Sequence, residues 1–143
     1  MNNTITCAGA LFYAQDTKRF LFVKRTDQKH NGAWGFVGGK SESKESAFQG
    51  LLREIEEEIG KDHPKILKHI PLEMFISNDT KFQYHTFVCV VKSEFIPQLN
   101  GEHNGYAWVS VGAWPKPLHQ GVKSSLEKSI TKNKLQTILD ILY

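Results

Sequence analysis

The stretch that decides the fold runs from Gly39 to Gly60 and reads GKSESKESAFQGLLREIEEEIG. From Ser46 onward its apolar residues recur at the three- and four-residue spacing of a helix that buries one stripe. These residues are Phe48, Leu51, Leu52, Ile55 and Ile59. Ser43 and Ser46 are candidate N-caps, and Gly60 is a natural helix stop. The sequence therefore predicts one amphipathic helix between two glycine-bounded loops.

Three carboxylates converge on one flank of this helix. At about 100° per residue, Glu54 and Glu58 lie one turn apart, and Glu57 lies beside them. Gly50, one turn before Glu54, costs roughly 1 kcal/mol against Ala inside a helix, so it needs a packing or functional reason. One interpretation is a solvated acidic face. The other is a cation site, because Mg²⁺ takes oxygen ligands from a few carboxylates and from substrate phosphates.

The spacing of glycines and charged residues favours the cation site. Gly39, five residues, Glu45, seven residues and then Arg53-Glu54-Ile55-x-Glu57-Glu58-x-Gly60 resembles the box of the Nudix hydrolase family. Lys61 departs from the family pattern, which usually places an aliphatic residue there, and we expect this to change how the helix end packs. The resemblance implies an α/β fold, the Nudix α/β/α sandwich with a mixed β-sheet. The order of strands and helices predicts the same layers.

The resemblance also implies roles for single residues. Glu54, Glu57 and Glu58 would hold Mg²⁺, or Mn²⁺, together with the main-chain carbonyl of Gly38. Gly38 and Gly39 form a loop whose backbone is free to face a cation or a phosphate. Two further box residues, Glu45 and Arg53, pair with each other and support the site.

Two residues outside the box are further candidates. Arg25 follows an apolar strand, where its guanidinium group could bind phosphate in a bidentate way or simply lie in water. The resemblance favours phosphate contact. Glu102 lies six residues before Trp108, and MutT-like relatives often carry a metal-binding or base-like glutamate at that place. Either Glu54 or Glu102 is the general base that would take a proton from the attacking water.

The remaining chain predicts a sheet and a C-terminal helical region. Apolar, β-branched and aromatic runs predict a hairpin over 5–23, two pairing strands and a short last strand. The paired strands are Ile66 to Ser77, interrupted near Pro71, and Phe82 to Val91, and the last strand is Tyr106 to Val109. The apolar residues near the C-terminus recur at helical spacing and predict one kinked helix or two helices, with the break near residues 131–133. Trp34 and Phe36 are core residues, and His119 is a cap or packing residue in preference to a base.

Composition sets the class of protein. The 143 residues are 40% hydrophobic and 23% charged, which predicts one globular domain over 1–143. Cys7 and Cys89 have no metal or redox spacing and are expected to be buried. The first residues lack signal features and no apolar run reaches the ~20 residues of a membrane span, so we expect a cytoplasmic protein. A net charge of +3 is too mild to indicate nucleic-acid binding.

The resemblance implies a nucleotide-derived small-molecule substrate with a pyrophosphate bond. Loop residues 99–108 and 117–121 are similar to small Nudix proteins that cleave ADP-ribose, dinucleoside polyphosphates, FAD or NADH. A MutT-like nucleoside triphosphate pyrophosphohydrolase is the second hypothesis. A nucleotide sensor or RNA-end binder without turnover is the third, although a complete carboxylate set argues against it. RNA caps stay possible substrates without an arginine-rich tract to support them, and a homodimer is possible.

Overall fold

Residues 4–142 of the computed structural model form seven strands of one mixed sheet and three helices. The strands are β1 Ile5–Ala14, β2 Arg19–Arg25, β3 Trp34–Gly35, β4 Val37–Lys40, β5 Lys68–Ile76, β6 Phe82–Val91 and β7 His103–Ser110. The helices are α1 Ala47–Ile59, α2 Gln120–Glu127 and α3 Ser129–Leu142. The main path of the sheet is β3-β2-β1-β6-β5, with β4 paired to β1 and β7 paired to β2.

Strand β1 sets the position of the glycine loop. It runs parallel to β6 over its whole length, while its other edge is shared between two antiparallel partners. The C-terminal end of β1 pairs with β2, and its N-terminal half pairs with β4, where Gly9 faces Gly38 and Ala8 faces Gly39. Strands β1 and β2 thus separate toward one end, and β3 and β4 fill the gap. The two glycines consequently lie at the edge where α1 is about to begin.

Two apolar clusters lie on opposite faces of the sheet. Alternate residues of β1 point to each face, with Phe12 on the α1 side and Leu11 on the side of α2 and α3. On the first face α1 contributes its fully buried Leu51 and Ile55. On the second face α2 and α3 contribute four buried residues, Val122, Leu126, Leu135 and Ile138. This confirms the predicted α/β/α arrangement with a mixed sheet.

Helix α1 begins and ends at predicted residues. Ser46, not Ser43, is the N-cap: its Oγ accepts the N–H of Gln49 at 3.1 Å, and its own N–H donates to the Gln49 side chain at 2.9 Å. These reciprocal bonds satisfy two donors that the helix itself leaves unpaired. Gly60 is the C-cap, with a φ of +91° that L side chains rarely adopt.

The buried stripe of α1 is narrower than predicted. Leu52 is 39% exposed, and Phe48 is only half-buried against the rings of His69 and Phe87. Gly50 has a packing reason, because a Cβ there would lie 2.5 Å from the Oγ of Ser41. The loop that follows β4 therefore approaches α1 more closely than any side chain at position 50 would allow.

Two boundaries differ from the sequence-based prediction. Strand β7 starts at His103 instead of Tyr106, because residues 103–110 pair along β2 with an irregularity after Lys24. The helical break lies at Lys128, three residues before the predicted place. Glu73 of β5 holds the break, since it accepts bonds from Ser125 and Thr131 and from Lys128 Nζ at 2.8 Å. Of the two predicted alternatives, one kinked helix or two helices, the structure has two helices, and the predicted position of the break was wrong.

Other predictions for single residues are mostly confirmed. Strand β5 pairs with β6 and changes register between Pro71 and Glu73, as the proline predicted. Cys89 is buried as expected, but Cys7 is only half-buried. Burial raises the pKa of both thiols, and for Cys89 it reaches about 12. Within residues 4–142, no helix is long and apolar enough to cross a membrane.

Candidate active site

Glu58 is the most buried carboxylate of the box, with a side chain only 3% exposed. The main-chain N–H of Gly38 donates to its Oε1 at 3.3 Å. Burial raises the pKa of Glu58 well above its ordinary value, the neighbouring carboxyl groups of Glu54 and Glu102 raise it further, and the Gly38 N–H only partly opposes them. A carboxylate in this position needs a cation to stay ionised at neutral pH.

Glu54 lies between two environments. Its Oε1 accepts a hydrogen bond from Arg53 Nη1 at 3.0 Å. Its carboxyl group also lies within hydrogen-bonding distance of the Glu58 carboxyl group. Gly39 makes this position possible, because a Cβ at residue 39 would lie 2.7 Å from the carboxyl carbon of Glu54. The glycine after Gly38 therefore provides space for a carboxylate of the box.

Glu102 reaches this place from a loop far along the chain. Its N–H donates to Asn100 Oδ1 at 3.0 Å, and Asn100 Nδ2 donates to the carbonyl of Glu57 at 3.1 Å, at the end of α1. The N–H of Thr26 donates to the Glu102 carbonyl at 3.0 Å, which ties the loop to the end of β2. The structure thus brings Glu102 to the buried Glu58.

His103 completes a group that the sequence did not indicate. Ligand atoms of Glu58, Glu102 and His103 all lie within 4.8 Å of one another. The imidazole is buried, and its Nε2 lies 3.7 Å from Glu58 Oε1. Burial, with the nearby charge of Arg25, lowers the pKa of His103 to about 4, so the ring is neutral at pH 7. Sequence analysis placed this residue in an irregular loop, where a lone histidine gives no signal.

Glu57 is placed differently from its neighbour. Its side chain is 54% exposed and contacts Arg53 Nη1 at 3.3 Å. The same guanidinium group donates to both carboxylate oxygens of Glu45, from Nε at 2.9 Å and from Nη2 at 3.0 Å, and to the carbonyl of Lys40. The predicted pair of Glu45 and Arg53 is confirmed. Glu57 joins this pair and does not join the group formed by Glu58, Glu102 and His103.

Arg25 stands beside the carboxylates at the end of β2. It is the register partner of His103, and paired residues on adjacent strands lie close together. Its Nε donates to Asp27 Oδ1 at 2.8 Å, and Asp27 Oδ2 lies 3.0 Å from His30 Nδ1. The hydrogen bond from Arg25 holds the pKa of Asp27 at about 2, so the Asp27 carboxyl group is ionised at neutral pH. Phosphate binding by Arg25 stays a prediction.

Nearby aromatic residues and His119 are structural. Phe36 is buried beside Phe22, and the N–H of Trp34 donates to the Pro117 carbonyl at 2.9 Å. His119 is the N-cap of α2, because its Nδ1 accepts the N–H of Gly121 at 3.1 Å. This confirms the predicted cap.

The donor set suits a divalent cation. Within the described part of the chain, Glu58 forms no salt bridge with a lysine or an arginine, and the basic side chain beside it, His103, is neutral at pH 7. Gly38 has a φ of +155° and leaves no room for a Cβ, which would collide with the carbonyl oxygen of Ala8. Buried carboxylates beside a bare backbone are typical ligands of hard divalent ions.

The sequence model of the NUDIX domain matches residues 4–128. The chain belongs to the Nudix family. It is a Nudix pyrophosphohydrolase. A dihydroneopterin triphosphate diphosphatase of Haemophilus influenzae is 29% identical over a stretch that covers 93% of this chain and 84% of the relative.

Two solved structures show the same fold. The crystal structure of a MutT NUDIX hydrolase from Burkholderia pseudomallei is 24% identical, with a TM-score of 0.65 over 87% of this chain and 96% of that one. The dihydroneopterin triphosphate pyrophosphohydrolase of E. coli is 23% identical, with a TM-score of 0.62 over 89% of this chain and 95% of that one. The predicted family and fold are confirmed.

Proposed function

We propose that this Nudix enzyme hydrolyses a triphosphate carried by a nucleoside-like molecule, in a reaction that depends on Mg²⁺ or Mn²⁺. Dihydroneopterin triphosphate is the first substrate to test, because the Haemophilus influenzae relative is named as a diphosphatase of this compound. The observation that carries the proposed reaction is the meeting of Glu58, Glu102 and His103 within 4.8 Å, beside the glycine loop. A polyanionic pyrophosphate link needs cations to neutralise its oxygens, and carboxylates can hold such cations.

The carboxylates would hold the cation. Glu54, Glu58 and Glu102, with the Gly38 carbonyl, are the proposed ligands, and Glu57 would join them if it left Arg53. A bound divalent cation neutralises phosphate oxygens and lowers the pKa of water. The protein residues keep the site shaped and partly closed to solvent, because Glu58 is nearly inaccessible and Gly39 brings Glu54 against the loop.

A carboxylate would take the proton from the attacking water. Glu102 is exposed and lies in the group with Glu58, so water reaches it directly. Glu54 already accepts a hydrogen bond from Arg53 and meets Glu58, so its lone pairs are more fully occupied. We therefore place Glu102 first as general base and keep Glu54 as the alternative.

Arg25 would position the phosphate that is not attacked. Asp27 accepts the Nε hydrogen of Arg25, and this bond fixes the plane of the guanidinium group. The two Nη groups then act as a preformed fork for phosphate oxygens. Positioning and charge neutralisation are the main tasks of a protein in phosphoryl transfer.

The decisive experiment is a hydrolysis panel with Mg²⁺ or Mn²⁺ and with products separated by chromatography. The panel contains dihydroneopterin triphosphate, canonical and oxidised nucleoside triphosphates, ADP-ribose, diadenosine polyphosphates, FAD and NADH. Pyrophosphate released from a triphosphate supports the proposal. AMP released from ADP-ribose or a dinucleotide would instead favour the hypothesis that the loop residues 99–108 and 117–121 suggested.

The panel also tests the non-catalytic hypothesis. Glu58→Gln should be inactive, while the matched control Glu56→Gln, an exposed residue of the same helix, should keep full activity. Binding without turnover in the unmodified protein would contradict the enzyme mechanism and favour a sensor. A capped RNA oligonucleotide added to the panel tests the RNA-end alternative. The homodimer and the cytoplasmic location stay predictions, and light scattering tests the first of them.

A further inference from the structure

We infer that His103 is a nitrogen ligand in the cation site, and that the site therefore binds transition-metal ions such as Mn²⁺ or Co²⁺ in preference to Mg²⁺. This inference rests on the proposed cation site and specifies its chemistry. The inference comes from the imidazole of His103, which lies among the carboxylates. The box itself contains no histidine.

The distances fit coordination of one ion. Two atoms bound to the same ion at ~2.1 Å lie no more than ~4.2 Å apart. His103 Nε2 and Glu58 Oε1 are 3.7 Å apart, inside this limit but longer than a hydrogen bond. A carboxylate oxygen of Glu102 lies within 4.8 Å of a ligand atom of each of the other two residues, and because the Glu102 side chain is exposed it can close the small remaining distance.

The burial of His103 shows that its ring needs a partner. The side chain is 5% exposed, and Nδ1 has no hydrogen-bond partner among residues 4–142. A buried polar group without a partner destabilises the fold, so it calls for an explanation such as an ion or a water. The unpartnered atom is Nδ1, so an ion bound to Nε2 would leave the ring proton on Nδ1, where a water would accept it.

The backbone holds the ring in place. The N–H of His103 donates to the Asn100 carbonyl at 3.2 Å, and the residue pairs with Arg25 in the β2–β7 ladder. These bonds fix the main chain of His103, and the burial of its side chain leaves the ring little room to rotate away from Glu58. The nitrogen is therefore preorganised toward the carboxylates.

Ligand chemistry then sets the preferred metal. Mg²⁺ prefers oxygen ligands and water, whereas imidazole nitrogen binds first-row transition metals. A site with two carboxylates and one imidazole should therefore discriminate against Mg²⁺ more than a site of carboxylates alone. Truncation of His103 should weaken Mn²⁺ binding by about tenfold or more and change Mg²⁺ binding much less.

The experiment uses Mn²⁺ as a paramagnetic probe on the full chain. Electron paramagnetic resonance titration measures Mn²⁺ binding, and pulsed measurements detect the coupling of Mn²⁺ to a directly bound nitrogen. Isothermal titration then compares the affinities for Mn²⁺ and Mg²⁺. The variants are His103→Gln and the control His85→Gln, whose side chain contacts Gln83 on β6.

The outcomes separate this inference from the proposed function. Nitrogen coupling that is present in the unmodified protein and in His85→Gln, and absent from His103→Gln, supports the inference. Mn²⁺ binding without nitrogen coupling would overturn the inference and leave the cation site intact. No Mn²⁺ or Mg²⁺ binding at all would overturn the cation site itself. If His103→Gln fails to fold, spectra of the unmodified protein labelled with ¹⁵N-histidine still decide whether a histidine nitrogen binds.

Discussion

Two groups of glutamates meet at helix α1, and their electrostatics are opposite. In the first group, Glu45 and Glu57 surround Arg53, whose hydrogen bond lowers the pKa of Glu45, while that bond raises the pKa of Arg53. In the second group, Glu58 and Glu102 face each other without an arginine or lysine partner in the described residues, and the pKa of Glu58 is raised. The first group has its cation within the chain, and the second group needs one from solution.

Glu54 connects the two groups. It accepts a hydrogen bond from Arg53 on one side and meets Glu58 on the other. The arginine group therefore determines where one carboxylate of the cation group lies. This comparison predicts that variants in the second group affect turnover, and that variants in the first group mainly affect stability.

The largest effect is expected from Glu58→Gln. Loss of this buried carboxylate removes a cation ligand, so kcat should fall by roughly 10²-fold or more. The measurement is steady-state hydrolysis at saturating Mg²⁺, with Glu56→Gln as the control. Near-normal turnover of Glu58→Gln would show that the second group is not the cation site.

The same variant should be more stable than the unmodified protein when divalent ions are removed with a chelator. The folded-state pKa of Glu58 lies above its ordinary value of 4.5, so its contribution to stability is complete below that pH and is lost as the pH rises through the folded-state pKa. Gln at this position does not ionise, so the variant does not lose stability as the pH rises. The advantage in melting temperature should therefore grow as the pH is raised from 5, and Mg²⁺ should reverse it. A constant difference across pH would contradict the burial argument.

The next effect separates the two candidate bases. Glu102→Gln should lower kcat by about 10²-fold if Glu102 takes the proton, and Glu54→Gln should then act mainly through cation affinity. Plots of kcat against pH for both variants, at saturating metal, make this distinction. A small change in Glu102→Gln would leave Glu54 as the better candidate.

A smaller effect is expected from Gly39→Ala. The added Cβ would lie 2.7 Å from the carboxyl carbon of Glu54, so this carboxylate must move. A small shift of a catalytic group lowers kcat by about tenfold to a hundredfold. The fold should stay stable, because the flexible Glu54 side chain can move away from the added Cβ. Gly105→Ala is the control, since its Cβ meets its nearest atom, Lys24 Cβ, at an ordinary 3.5 Å. Equal activity of the two variants would contradict the role given to Gly39.

The smallest effect is expected from Glu45→Gln in the arginine group. The pKa of Glu45 is lowered in the folded protein, so its contribution to stability is present above the ordinary value of 4.5 and is lost as the pH falls through the folded-state pKa. The melting temperature at pH 7 should fall by a few degrees, and the difference should vanish in acid. Turnover should fall far less than in Glu58→Gln. A larger loss of turnover than of stability would mean that the two groups act as one.

Local sequence was enough to predict helix α1 and its ends. Apolar spacing, the Ser46 cap and Gly60 act within a few residues, so they do not depend on the rest of the fold. The pair of Glu45 and Arg53 was predicted from the resemblance. Strand β7 was predicted too short, because its first residues are polar and become a strand only by pairing with β2.

The sequence by itself was enough to indicate the family, the sandwich fold and the set of box carboxylates, since the spacing of the box carries the resemblance to the family and the resemblance implies the fold. Only the tertiary structure decided which carboxylates share a cation-deficient site. Glu57 and Glu58 are neighbours in the chain, yet one lies in water beside Arg53 and the other is buried beside His103. The reason is physical: burial and the charges of distant residues set the state of an ionisable group, and the chain brings residues 58, 102 and 103 together only when the sheet and α1 pack.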